Sequence, residues 1–291
     1  MTSVAIFATT LLWGITIGWI YVLLATGLNL IFGVMKLVNF AHGELLMIGA
    51  FVCWSFTTSL GLNAYEAIIP TAIIVGLVGI LIERTTFRKV LGTNKLNEIF
   101  VSLGLIYVIN QVVVLGWGQT AKTVNSPFST LSIDLGQISI RYDLIIIALV
   151  TVTILLFLFY LLTRTKTGRV MRATSQNRDG ASLLGVNIDR IYTLSFGIGA
   201  ALAGAGGALF SIIYVFDPTM GALPSIKAFA IIMMGGLGSL KGSVIAGLLY
   251  GIAENMAILF LGGIWGDSIA FIILIAVLVI RPAGIFGEKT R

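Results

Sequence analysis

The sequence predicts an all-α polytopic membrane protein of eight or nine transmembrane helices, its N-terminus outside and its C-terminus in the cytoplasm. Three observations carry this prediction. Of 291 residues, 58% are hydrophobic and only 10% charged, whereas soluble domains carry about a quarter charged residues. Apolar runs recur from end to end with no polar domain between them, so residues 1–291 read as a single transmembrane domain. The cations also sit in alternate loops, as topology-setting residues do.

A spanning helix needs about 20 apolar residues. The first run, 8–34, follows an N-terminus without a basic segment. It outlasts the roughly 7–15 residues of a signal-peptide core and is expected to stay as a membrane helix. Runs at 40–59, 65–82 and 98–116 come next, and 144–163 is uncharged throughout. The remaining spans are 191–214, 225–238, 243–261 and 267–280. The span 225–238 is short for a full crossing, which suggests a broken or re-entrant segment and makes eight the alternative count.

Fifteen Lys and Arg fall on one face of this arrangement, in 83–98, in 164–190, at Lys36 and Lys241, and in the tail. Three fall on the other: Lys122, Arg141 and Lys227. The richer face is cytoplasmic by the positive-inside rule. Between the fourth and fifth spans, 117–142 forms the longest external loop. Its Asn125-Ser126-Pro127 turn and the alternation Leu131, Ile133, Leu135 predict a short hairpin. Either it closes the outer face or it docks a partner.

Several function classes are excluded. Cys53 and His42 are the only residues of their types, so cysteine- or histidine-based metal sites have no ligand set, and none is expected. The net charge of +6 is spread over short loops and gives no nucleic-acid patch. Residues 235–243 look like a phosphate loop but fail it. Leu240 stands where the glycine before Lys241 belongs, and Gly242 replaces the hydroxyl residue. No cofactor and no ATPase site of the chain's own are expected, and the glycines imply a tight turn or a broken helix. Ser243, Gly247 and Gly251, like Gly199, Ala203 and Gly207, recur every fourth residue, a face for close helix packing.

Residues 164–190 are the longest internal polar stretch. Val170, Met171, Ala173, Thr174, Ala181, Leu183 and Leu184 read as short amphipathic helices broken at Gly180 and Gly185. A solvated loop that merely fixes topology has no use for Leu183-Leu184 and Val186, which need a membrane surface or a second protein to cover them. Gly168-Arg169, Met171-Arg172-Ala173, Gln176-Asn177, Ala181, Leu184-Gly185-Val186 and Asp189-Arg190 resemble the coupling loop of the branched-chain amino acid permeases of ATP-binding-cassette importers. Residues 33–44, 227–254 and Arg281-Pro282-Ala283-Gly284-Ile285 match the same family in the same order. The resemblance implies a pore-forming subunit in the bacterial inner membrane, with a periplasmic N-terminus and periplasmic loop 117–142. It also implies two cytoplasmic ATPase subunits, a second permease subunit and a periplasmic substrate-binding protein. Gly168, Arg169, Arg172, Ala181, Leu184 and Gly185 would couple to the ATPases.

Asn39, His42 and Glu44 interrupt two apolar spans. Asn39 suits an N-cap and Glu44 the first helical turn, or the three line the translocation path or its inner gate. Glu254 falls mid-span, where an acid is costly. It reads either as a helix–helix hydrogen bond or as part of the path. An ion-coupled secondary transporter would need several such acids, and Glu254 reads as nearly alone. Urea or short-amide permeases share these motifs and stand as the alternative substrate class.

Overall fold

The computed structural model describes residues 3–136, 138–281 and 283–287. Its elements, in order, are α1 (Ser3–Met35), α2 (His42–Ser59), α3 (Ile68–Ile82), a π-helical turn (Glu83–Phe87), α4 (Arg88–Val90) and α5 (Lys95–Trp117). The hairpin β1 (Ser132–Leu135) and β2 (Ile138–Arg141) precedes α6 (Tyr142–Arg164), α7 (Lys166–Gln176) and α8 (Arg178–Leu183). Then come α9 (Ile188–Ile213), α10 (Ala222–Gly235), α11 (Leu240–Leu261) and α12 (Trp265–Ile280).

Among the described residues, six helical stretches are long and apolar enough to cross a membrane: α1, α3 through α4, α5, α6, α9 and α11. Each of the nine predicted spans is helical, but three fall outside that set. The helix α2 has 18 residues, α12 has 16, and α10 only 14. At 1.5 Å per residue α10 reaches about 21 Å, less than the roughly 30 Å hydrocarbon core.

Burial separates a core from a lipid-facing shell. In α1 and α9, 83% and 78% of the most apolar window is buried, against 22% in α5 and 28% in α6. Tyr107, Val108 and Leu115 of α5, and Leu156, Phe157 and Tyr160 of α6, face outward, which hydrocarbon tolerates and water would not. Small residues set the close contacts of the core. A Cβ at Gly251 would lie 2.5 Å from Gly18 Cα, one at Gly199 2.7 Å from the Gly27 carbonyl, and one at Gly247 2.6 Å from Val22. At Gly207 it would strike the Leu46 carbonyl. The four-residue repeats noted in the sequence are therefore the α1–α11, α1–α9 and α2–α9 seams.

The external hairpin forms as predicted, pairing Ser132 with Arg141 and Ile133 with Ile140. It is anchored through Asp143, fully buried at the start of α6. Arg141 bonds one Asp143 carboxylate oxygen at 2.7 Å, while Tyr65 and Ser126 donate to the other at 2.8 and 2.5 Å. That clamp joins the loop to the segment preceding α3.

Two helices begin inside the protein. His42 opens α2, yet its Nε2 lies 3.2 Å from the Leu24 carbonyl, eleven residues and about 16 Å short of the end of α1. The start of α10 meets α2 at this depth, where Ser225 Oγ accepts from the Gly43 amide at 2.7 Å. The chain between Met35 and His42 therefore re-enters the core before α2 starts, and α10 is a short helix that begins in the core and ends beside Asn29 of α1. At its other end α10 stops at Gly235. Gly236 and Gly238 take φ values of +103° and +84°, and the Asn29 side chain accepts from Gly238 N at 2.6 Å and donates to Ser239 O at 2.9 Å. The glycines of the failed phosphate loop thus make a turn pinned to α1.

Candidate coupling face and buried polar junction

The segment 164–190 folds into two short helices. Thr165 Oγ1 caps α7 by accepting from the Gly168 amide at 3.1 Å, and Asn177 Oδ1 caps α8 from the Gly180 amide at 2.8 Å. Asn187 does the same for α9, at 3.0 Å from Arg190 N. The predicted break at Gly180 is corrected, because the chain breaks at Asn177 and Gly180 lies within α8. A β-region Asn supplying a cap is a stronger stop than a glycine inside a short helix. The predicted break at Gly185 stands, with φ +81° closing α8.

The six coupling positions divide by burial. Gly168 is buried, and a Cβ there would meet the Leu161 and Leu162 carbonyls at the end of α6, so only glycine lets α7 fold back so closely. Ala181, with Met171 and Thr174, fills the inner side. Arg169, Arg172, Leu184 and Gly185 face outward. Leu183 and Leu184 are 90% and 87% exposed, and the carbonyls of Gly180 and Ser182 hold the amides of Leu184 and Gly185. Two leucines therefore stand on an ordered, hydrogen-bonded projection.

A further cluster fastens this segment to the core. Glu83, fully buried in the π-helical turn, receives two hydrogen bonds from Arg88, at 3.1 and 2.9 Å, and one from Thr193 at 2.9 Å. Thr193 lies in the first turns of α9, directly after the 164–190 segment. The signal in the sequence was an acid followed five residues later by an arginine at the end of an apolar run. That spacing misaligns the pair on an α-helix but matches a π turn.

Asn39, His42 and Glu44 lie at or just before the start of α2, and all are at most 1% exposed. Asn39 is not the N-cap. Its Oδ1 accepts from Ala41 N at 3.0 Å, and Ala41 occupies the cap position without a side-chain cap bond. The open amide at Gly43 is capped instead by Ser225 from α10, a partner remote in sequence. Glu44 packs against Gly221, where a Cβ would meet its carboxylate. The acid thus lies between the N-termini of α2 and α10, where helix dipoles favour negative charge.

Glu254 is not isolated. Lys227 Nζ donates to Glu254 Oε1 at 2.6 Å and to Tyr21 Oη at 3.0 Å, joining α10, α11 and α1. Lys227, assigned from sequence to the outer face, is 8% exposed within α10, so it does not count toward loop charge. Opposite charges in consecutive apolar segments were the available signal. On α10, Ser225 meets the start of α2 at Gly43 and Lys227 meets Glu254 of α11.

Residues 10–278 match a family model described as "Branched-chain amino acid transport system / permease component". The chain belongs to that family. The permease is 32% identical to the "High-affinity branched-chain amino acid transport system permease protein BraD" of Pseudomonas aeruginosa, over 94% of each chain. It is equally similar, with the same coverage, to the permease protein LivH of Salmonella typhimurium. Among solved structures it resembles PsaBC from Streptococcus pneumoniae in complex with Fab, with a TM-score of 0.54 at 13% identity, over 96% of this chain and 93% of that one. That likeness is one of fold.

Membership makes the permease a transport component without an ATPase site of its own. It also replaces an argument that the structure weakens. Beside Glu254, the acids Glu44, Glu83, Glu98 and Asp143 are buried, so scarcity of buried acids does not rule out ion coupling. What counts against ion coupling is the family.

Proposed function

We propose that this permease is the pore-forming subunit of a bacterial importer for branched-chain amino acids, driven by two separate cytoplasmic ATPase subunits. Family membership over residues 10–278 carries the reading, and high-affinity branched-chain systems among its relatives favour those amino acids over urea or short amides. A second permease subunit completes the pore, and a periplasmic binding protein delivers substrate. The exposed Leu183-Leu184 projection supports α7–α8 as the element that meets the ATPases. The Asn39, His42, Glu44 and Glu254 junction serves as the inner gate, because it joins two helices that begin inside the membrane.

Membrane vesicles carrying the assembled complex should accumulate radiolabelled leucine in an ATP-dependent manner. Urea should not compete. ATP-driven uptake of urea with no response to leucine would overturn the substrate, and ATP hydrolysis by the purified chain alone would overturn the role.

The proposed topology has nine segments with a periplasmic N-terminus and a cytoplasmic C-terminus in the inner membrane. With buried Cys53 replaced, single cysteines at Thr130 and Ser182, both exposed, should react with impermeant reagent from opposite sides. Labelling from one side would refute the span count between them.

A further inference from the structure

Two cavities adjoin the coupling segment. One, of ≈ 280 Å³, lies between the end of α1, the start of α5 and the α7–α8 turn. The other, of ≈ 210 Å³, lies between α1, α6, α7 and the turn before α11. Val34 and Ser175 line both. Their walls differ in kind. The larger carries three cations, Lys36, Lys95 and Arg178, against one acid, Glu98. The smaller is walled on most sides by apolar residues, Leu30, Val34, Phe159, Leu162 and Met171 among them, with Arg172 its one charged residue.

The cations of the larger cavity are not equally committed. Lys95 Nζ bonds both Glu98 oxygens, at 2.9 and 3.0 Å, and the Lys36 carbonyl at 2.9 Å. Among the described residues the side-chain charges of Lys36 and Arg178 have only ring contacts, 5.7 Å from Phe32 and 5.7 Å from Tyr192. Lys36 is also the sole non-glycine residue with positive φ among those described, at +54°. It follows the last residue of α1, a position where glycine relieves the backbone. A lysine held there spends conformational energy to present a cation, as residues at ligand clamps do.

Two cations with no carboxylate bonded to them, Lys36 just past the end of α1 and Arg178 at the start of α8, stand beside a mainly apolar chamber and match an amphiphile with an anionic head. We infer that the paired cavity binds a phosphate-bearing anion, the headgroup of an anionic phospholipid against Lys36 and Arg178 with its chain in the apolar chamber. One wall is made by the ends of α1 and α5 and the other by α7 and α8. The bound lipid therefore bridges the membrane core and the coupling segment and holds the latter in place. The effect on coupling rests on the role proposed above for α7–α8; the binding does not.

The test uses the assembled complex in nanodiscs, with Lys36→Gly and Arg178→Gln as variants. Lys36→Gly removes the charge while easing the backbone, so misfolding is not expected. Native mass spectrometry reads retained phosphatidylglycerol, and ATP hydrolysis is read in phosphatidylcholine alone, with phosphatidylglycerol added, or with soluble inorganic phosphate added. Each variant should weaken lipid retention about five-fold, the worth of one cation at a membrane surface, and lose the stimulation seen in wild type. Stimulation by soluble phosphate that both variants abolish would uphold the anion site and make its ligand a free phosphate. Lower retention with unchanged hydrolysis would uphold the site and count against the coupling role. Variants that match wild type in retention and in both hydrolysis arms overturn the proposal.

Discussion

Replacing Leu184 with aspartate is expected to leave the permease in the membrane at wild-type level and to reduce uptake by about ten-fold or more. The stability part follows from exposure: Leu184 is 87% exposed and touches no core, so the fold loses little. The functional part follows from what must cover it. Burying a leucine is worth about 1.5–3 kcal/mol. Leaving an unpaired carboxylate in the same contact costs several more. Together these exceed the roughly 1.4 kcal/mol that separates each decade of affinity. Gly185→Trp should act alike by wedging the contact, with added strain because Gly185 sits at φ +81°. The measurement is co-purification of the ATPases together with leucine uptake, at matched membrane levels. Normal uptake by both variants would place the contact elsewhere, with 83–98 as the next segment to examine. Disappearance of either variant from the membrane would give the projection a structural role.

Much of this fold was legible because membrane helices are long, continuous and chemically uniform. The helices beneath the apolar runs, the hairpin at 131–141, and the turn at 235–239 follow from local composition. What was not legible depends on contacts between distant residues. Asn39 looks like a cap because its chemistry is right, but the donor at Gly43 is met by Ser225, 182 residues away. No local pattern could show that α2 begins beside Leu24, since the chain must first re-enter the core. Lys227 was misplaced for a related reason. A charge at the edge of a short apolar run reads as a loop residue until the opposite charge on the next helix is known to face it. In the coupling segment the sequence showed which residues were apolar but not which pointed outward. Met171 and Ala181 turn in, while Leu183 and Leu184 turn out, and that choice is made by packing against α6 and α9 rather than by local pattern.

The pair Lys227–Glu254 supplies the second large effect. Glu254→Leu should destabilise the permease by about 3–5 kcal/mol, the cost of removing one partner from a buried ion pair. Both side chains are about nine-tenths buried, so solvent cannot substitute for the lost carboxylate. Glu254→Gln keeps the shape and a hydrogen-bond acceptor and should cost less. The double variant Lys227→Met/Glu254→Met removes both charges and should recover most of the stability, since apolar replacements of buried pairs are often neutral or better. Thermal unfolding of the detergent-purified complex measures this, and a Glu254→Leu variant as stable as wild type would remove the pair from any account of the core. Uptake by the double variant then separates two roles. If stability and leucine uptake return together, the pair is a clamp that sets α10 against α11 and α1. If stability returns without uptake, the charges themselves take part in opening the gate. The second outcome is expected here, because α10 begins at the Glu44 junction and any movement of that junction must pull on Lys227, six residues further along.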